Sequence, residues 1–220
     1  MKARILAAGR SIFGEYGYHG TTTRMIANDV GIDISTLHYH WGDKKDLYEA
    51  VVTDVNNDLG KALLAVEQVA HGRSLEERLN IALDMMTDYL FQHREVSNLI
   101  LLRYFSKTRN EIDIDFKLPE FTGDIARAMG LTDDAKRTPP RAMMEVMSIM
   151  NGIHSFISGE EFFCQILKLD REKYIDLVKE TLKFVFIPAF VNREKKKKEN
   201  GGGRSPQISR EKKQNQVKKG

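Results

Sequence analysis

The side chains best equipped for chemistry crowd into one stretch near the start of the chain. Thr22, Thr23 and Arg24 come first, then Ser35 and Thr36, then His38, Tyr39, His40 and Lys44. These types donate and accept hydrogen bonds and carry positive charge, but they do not assemble a reaction centre. His38 and His40 stand two residues apart and diverge on a helix, so they form no metal pair. Elsewhere the chain has no Gly-rich phosphate loop, no metal-spaced His/Cys/Glu cluster and no Ser/His/Asp arrangement. The expectation is therefore a protein that is not an enzyme and has no metal or cofactor. Hydroxyls, rings and cations without a nucleophile suit recognition.

Two short helices joined by a tight turn must position these groups. Thr21 to Thr23 supply N-cap oxygens for the first helix, and Gly31 follows its last apolar residue, where a positive φ is wanted. Asp33 or Ser35 can cap the second, over Ile34 to His40. Ile26, Val30, Ile32 and Leu37 are spaced to face one small core, and Ala27 is small enough for the helices to cross closely. Such a helix-turn-helix leaves the outer face of its second helix free for a major groove of DNA.

The pattern Thr22-Thr23-x-x-Ile26-Ala27, then Gly31-Ile32-x-x-x-Thr36-Leu37, then the aromatic/His cluster and Lys44, resembles the tetracycline-repressor (TetR) family of transcription regulators. Phe13-Gly14-Glu15-Tyr16-Gly17-Tyr18-His19-Gly20 upstream and Asp43-Lys44-Lys45-Asp46-Leu47 downstream also fit, and the likeness covers about the first fifty residues. It implies a dimeric repressor on a palindromic double-stranded DNA operator, released by a small apolar or amphipathic inducer. Thr22, Thr23 and Arg24 then fall where the family contacts DNA from its second helix, and Arg suits bidentate pairing with guanine. Ile34, Ser35 and Thr36 fall on base-facing positions, and Tyr39, His40 and Lys44 on phosphate positions. His38 replaces the family's usual Tyr, Ile34 stands where a polar side chain is common, and Trp41 takes the place of the usual Phe in the small core.

The expected fold is all-α. It comprises an N-terminal three-helix DNA-binding domain (residues 1–48) and a larger helical ligand-binding and dimerisation domain (49–192). A linking helix over 44–69 carries an apolar stripe of Leu47, Val51, Val55, Leu59, Leu63 and Val66. Ser74-Leu75-Glu76-Glu77 is a capping box opening a helix. Further helices are predicted over 96–105, 122–129, 139–158 and 170–187, the last stopped by Pro188. Residues 107–119 read as irregular and 160–169 as a connector. Helices 139–158 and 170–187 are apolar on more than one face, which points to a homodimer interface as well as an internal core. Seven of the nine methionines fall between residues 85 and 150. An inducer pocket between helices 74–92 and 139–158 would be lined by Met86, Tyr89, Leu90, Tyr104, Met147 and Asn151.

Charge is divided unevenly. Residues 193–220 hold eleven Lys/Arg against three Glu, so the chain's net +3 leaves residues 1–192 at −5. Any DNA binding by the body must come from local placement of charge. The 193–220 segment reads as a disordered basic tail. A single cysteine, Cys164, excludes an internal disulfide, and no apolar run approaches ~20 residues. A cytoplasmic protein without a membrane span is expected. The alternative function is a DNA-binding regulator or nucleoid-associated factor controlled by a protein partner or by no ligand.

Overall fold

The first helices owe their boundaries to groups at their ends. In the computed structural model, which describes residues 1–105 and 117–201, α1 spans Lys2–Gly20, with a non-helical Gly17 inside it. Helix α2 (Thr23–Val30) starts where the Thr22 hydroxyl accepts from the Met25 N–H at 3.2 Å. It ends on Gly31 at φ 74°, the left-handed position that glycine takes without strain. Helix α3 (Ile34–Trp41) has Asp33 at its N-cap, with no side-chain cap bond. Asp43 and Asp46 form a capping box that launches α4 (Lys44–Ala70), and Gly60 does not interrupt it.

Among the described residues the remaining regular structure is also helical: α5 (Leu75–Gln92), α6 (Arg94–Phe105), α7 (Leu118–Ala128), α8 (Pro140–Ser158), α9 (Glu160–Leu167) and α10 (Arg171–Gly201), with a 3-10 turn at Ala135–Arg137. The capping box of Ser74 and Glu77 forms at the start of α5. No helix among the described residues is long and apolar enough to cross a membrane.

Buried Ile5, Phe13, Ile26, Ala27, Leu37, Leu47 and Val51 pack the first four helices together. Ile32 is only half-buried against them. The helix α1 also lies directly on α6. A Cβ on Gly14 would meet the Cβ of Glu95 at 2.9 Å and its Cα at 3.1 Å, so only glycine permits this approach. From the head, α4 leads into a second region where α5, α6, α8 and α10 surround Leu83, Leu90, Val146, Ile153, Tyr174 and Leu182.

Four sequence expectations need correction. Residues 160–167 form a helix, not a connector. Tertiary contacts stabilise it: Phe163 packs on Phe156 and Tyr174, and buried Glu160 meets Arg171 at 2.9 Å. Pro188 does not stop α10, which continues to Gly201. An internal proline removes one hydrogen bond at a cost of ~3 kcal/mol. Burial of Ile187, Phe190 and Val191 around it offsets that cost. The same continuation makes residues 193–201 helical, where a disordered tail was expected; residues 202–220 lie outside the described residues. Finally, α7 starts at Leu118 rather than Thr122, with Pro119 in its first turn, where a missing N–H does no harm. The irregular stretch expected over 107–119 lies mostly outside the described residues.

The two apolar stripes of α8 have one destination. Met143, Met147, Met150, His154 and Ile157, with Val146, Ile149, Ile153 and Phe156, are all at least half-buried within the protomer. The exposed line of α8 is Met144, Ser148, Asn151 and Ser155. Surplus apolar surface sits instead on α10, where Phe184 is 81% and Val185 51% exposed. Leu177 on the same helix is also exposed, as are Phe162 and Ile166 on α9.

Candidate nucleic-acid interface

Leu37 faces the head's core and is fully buried, which turns the opposite side of α3 outward. Ser35, His38 and Tyr39 are exposed, while Ile34, Thr36 and His40 are half-buried. Tyr39, at 86% exposure, projects furthest, and its ring meets the His40 ring edge-on at 5.3 Å. Ile34 packs partly against the core, so its apolar character is divided between core and outer face. The exposed His38 has its Nδ1 2.6 Å from the Gly42 carbonyl, which holds the ring against the end of α3.

The start of α2 adds a second set. Arg24 is exposed, Thr23 half-buried and Thr22 exposed. Thr22 uses its oxygen as the cap acceptor and keeps its hydroxyl proton to donate. No acidic side chain lies in the first turn of α2, so its positive end is left for an anion.

Lys44 is differently placed. Its Nζ donates to the carbonyls of Tyr18 at 3.0 Å and Thr21 at 3.1 Å and lies 4.4 Å from the centre of the Tyr18 ring. Two of its three donors therefore fasten α4 to the end of α1. One remains for another acceptor. Trp41 is half-buried over the start of α1, where its Nε1 donates to the Lys2 carbonyl at 3.3 Å.

One cluster was not singled out from the sequence. Arg10 on α1 reaches Asp54 at 2.8 Å and Asp58 at 2.7 Å on α4, and Glu95 at 3.0 Å on α6. Burial pulls its pKa down, but hydrogen bonds to Asp58 and Asp54 and the charge of Glu95 outweigh this and raise it above its ordinary value. The Arg10 hydrogen bond in turn lowers the pKa of Asp58. A signal was present: Asp54 and Asp58 are like charges at i,i+4, repulsive on an isolated helix and so in want of a shared cation. Arg10, Asp54, Glu95, His93 and Ser11 also border a cleft of about 480 Å³ between head and body.

The six residues expected around an inducer do not share one environment. Leu90 is buried in the core, Met86, Tyr89, Tyr104 and Met147 are half-buried, and Asn151 is exposed on the outer line of α8. Asn151 is therefore misplaced as a wall facing α5, because the core side of α8 is taken by Val146, Ile149 and Ile153. His154, beside them, is buried and shares a 3.0 Å hydrogen bond with Ser97. Burial lowers its pKa to about 4. Burial raises the pKa of the Tyr89 hydroxyl, as does the charge of Asp58, while Arg10 acts against both.

Residues 5–51 match the sequence profile of a family described as bacterial regulatory proteins, tetR family. The chain is 29% identical over 92 residues to the biofilm operon icaADBC HTH-type negative transcriptional regulator IcaR of Staphylococcus aureus. It is 30% identical over 89 residues to the HTH-type transcriptional regulator RutR of Escherichia coli. These matches cover 42% and 40% of this chain, and span only 45% and 42% of the relatives' own lengths. Likeness of fold extends further. A TetR-like transcriptional regulator from Rhodococcus aligns over 83% of this chain and 92% of its own, at a TM-score of 0.55 and 17% identity. The fatty acid degradation regulator FadR from Bacillus halodurans aligns over 83% and 94%, at a TM-score of 0.57 and 16% identity.

Proposed function

We propose that this protein is a dimeric transcriptional repressor that reads a palindromic operator and leaves it on binding a small molecule, a reading supported by the match of residues 5–51 to the tetR-family profile and by the likeness of fold to a TetR-like regulator. The observation that carries the reading is the outer face of α3, with Tyr39 exposed and Ser35 and Thr36 beside it, next to exposed Arg24 at the start of α2. Arg24, Ser35 and Thr36 supply base contacts, with Ile34 touching methyl groups. Thr22, Thr23, Tyr39, His40 and the remaining donor of Lys44 hold phosphates, and His38 supports that edge.

The partner surface is the exposed apolar line of α10, Leu177, Phe184 and Val185, together with Met144 on α8. The inducer is apolar or amphipathic and is bound in the body near the half-buried Met86, Tyr89, Tyr104 and Met147. Selection of bound duplexes from a random pool tests the whole reading. It should return an inverted repeat whose half-sites are spaced for two heads. Enrichment of no sequence at all would overturn it.

A further inference from the structure

The start of α1 and the end of α3 are fastened to each other through one residue pair. Trp41, in the last turn of α3, donates from Nε1 to the Lys2 carbonyl at 3.3 Å. The Lys2 ammonium lies 5.0 Å from the centre of the same indole. Lys2 is therefore held twice, once by its backbone and once by its side chain. A phenylalanine at position 41 would have no N–H to give and a weaker ring face. Arg4 adds a tie to the end of α2, donating to the Val30 carbonyl at 2.9 Å.

An indole face attracts a cation but occupies none of its three N–H donors with an acceptor oxygen. Lys2 is exposed, and the first turn of α1 holds no acidic side chain to take those donors. Lys45 differs, because its ammonium meets Glu49 at 3.7 Å. A lysine held by a ring loses rotamer freedom before an anion arrives and keeps its capacity to bind one. Its place also suits the duplex. His38 lies one turn before Trp41 on the same side of α3 and is exposed, as is Tyr39 beside it. Lys2 thus extends the C-terminal edge of the outward face of α3. Near the other end of α1, Lys44 sits on the Tyr18 and Thr21 carbonyls. Along α1, Lys2 and Tyr18 are about 24 Å apart, against a major groove about 12 Å wide. Cations at these two points can reach phosphates on opposite sides of one groove. We propose that Lys2 is a phosphate contact of the head and that Trp41 is the residue that positions it. The proposal rests on the reading of the head as a DNA reader and adds a grip that the reading did not contain.

The test measures binding of a random-sequence 30-bp duplex by fluorescence anisotropy from 50 to 300 mM KCl. The full-length proteins are the unaltered chain, Lys2→Gln, Lys2→Arg, Trp41→Phe, and Lys2→Gln combined with Trp41→Phe. Lys2→Gln should bind about eightfold more weakly per protomer at 100 mM KCl, and the slope of log affinity against log salt should shrink by about 0.9 per protomer. Lys2→Arg should keep both affinity and slope. Trp41→Phe should weaken binding, and adding Lys2→Gln to it should cost less than the same change costs alone, because the lysine is no longer held. Unchanged affinity and slope in Lys2→Gln overturn the contact. So does a weaker Lys2→Gln whose salt slope is unchanged, since Lys2 would then act through the fold. A full eightfold loss in the Trp41→Phe background overturns the positioning role. If the unaltered chain binds no duplex, the reading of the head fails and this proposal with it; if it binds and is indifferent to Lys2, this proposal alone fails.

Discussion

Arg24 and Lys44 are both cations in the first turn of a helix, and their surroundings separate their roles. Arg24 is exposed, whereas Lys44 is held by the Tyr18 and Thr21 carbonyls. Arg24→Ala should reduce discrimination between a selected operator and random DNA by ~1–3 kcal/mol, measured by competition at fixed salt. Equal loss on both DNAs would reassign Arg24 to backbone contact. Lys44→Ala should weaken both DNAs alike and also lower the unfolding free energy in urea by ~1–3 kcal/mol, since two carbonyls lose their donor. His154 makes a different prediction. With its pKa lowered from 6.5 to about 4 by burial, the unfolded chain takes up a proton before the folded chain does. Stability is therefore lost as pH falls from 6.5 towards 4. Between pH 7 and pH 5 this site should remove about 2 kcal/mol, and His154→Gln should flatten that part of the urea-unfolding profile.

At the scale of elements, the joint between head and body is α1 lying on α4 and α6. Gly14 sets the closeness of α1 to α6, and Arg10 fixes all three helices by bonding carboxylates from two of them. Arg10 is only 12% exposed, but Asp54 and Asp58 are about a third exposed. Arg10→Met should thus cost about 2–3 kcal/mol, less than the ~3–5 for breaking a fully buried pair, because water partly relieves the stranded carboxylates. Urea unfolding at neutral pH measures it. A change below ~0.5 kcal/mol would show that the cluster is ordinary surface pairing.

For the whole molecule, the proposed interface makes assembly and DNA binding inseparable. Phe184 is exposed in the protomer, so Phe184→Glu should leave the fold intact while introducing an unpaired charge where the partner sits. Sedimentation should show a dimer at micromolar concentration for the natural sequence and a monomer for this variant; a monomer in both would remove the interface. Two heads reach successive major grooves only if held about 34–36 Å apart. Since α4 joins head to body, the proposed inducer would cause release if it favoured a tilted α4 over the DNA-bound arrangement. By linkage, operator must weaken that ligand by the same factor.

Local physical chemistry made the head legible in the sequence. Thr22, Gly31 and Asp43 each act through groups a few residues away, and the apolar spacing of Ile26, Val30 and Leu37 assigns the core face of two short helices without knowledge of anything distant. The capping box at Ser74 and the long stripe of α4 are legible for the same reason. Contacts between residues far apart in the chain were not. Helix α9 is held by Glu160 with Arg171 and by Phe163 with Phe156 and Tyr174, and α10 passes Pro188 because flanking side chains are buried. The apolar surplus of α8 turned inward and that of α10 outward, a choice no periodicity contains. Arg10 gathers carboxylates 44, 48 and 85 residues away. Sequence spacing determines what one helix offers, whereas only tertiary packing decides which offers are taken up, because burial and charge pairing depend on neighbours that the chain brings from a distance.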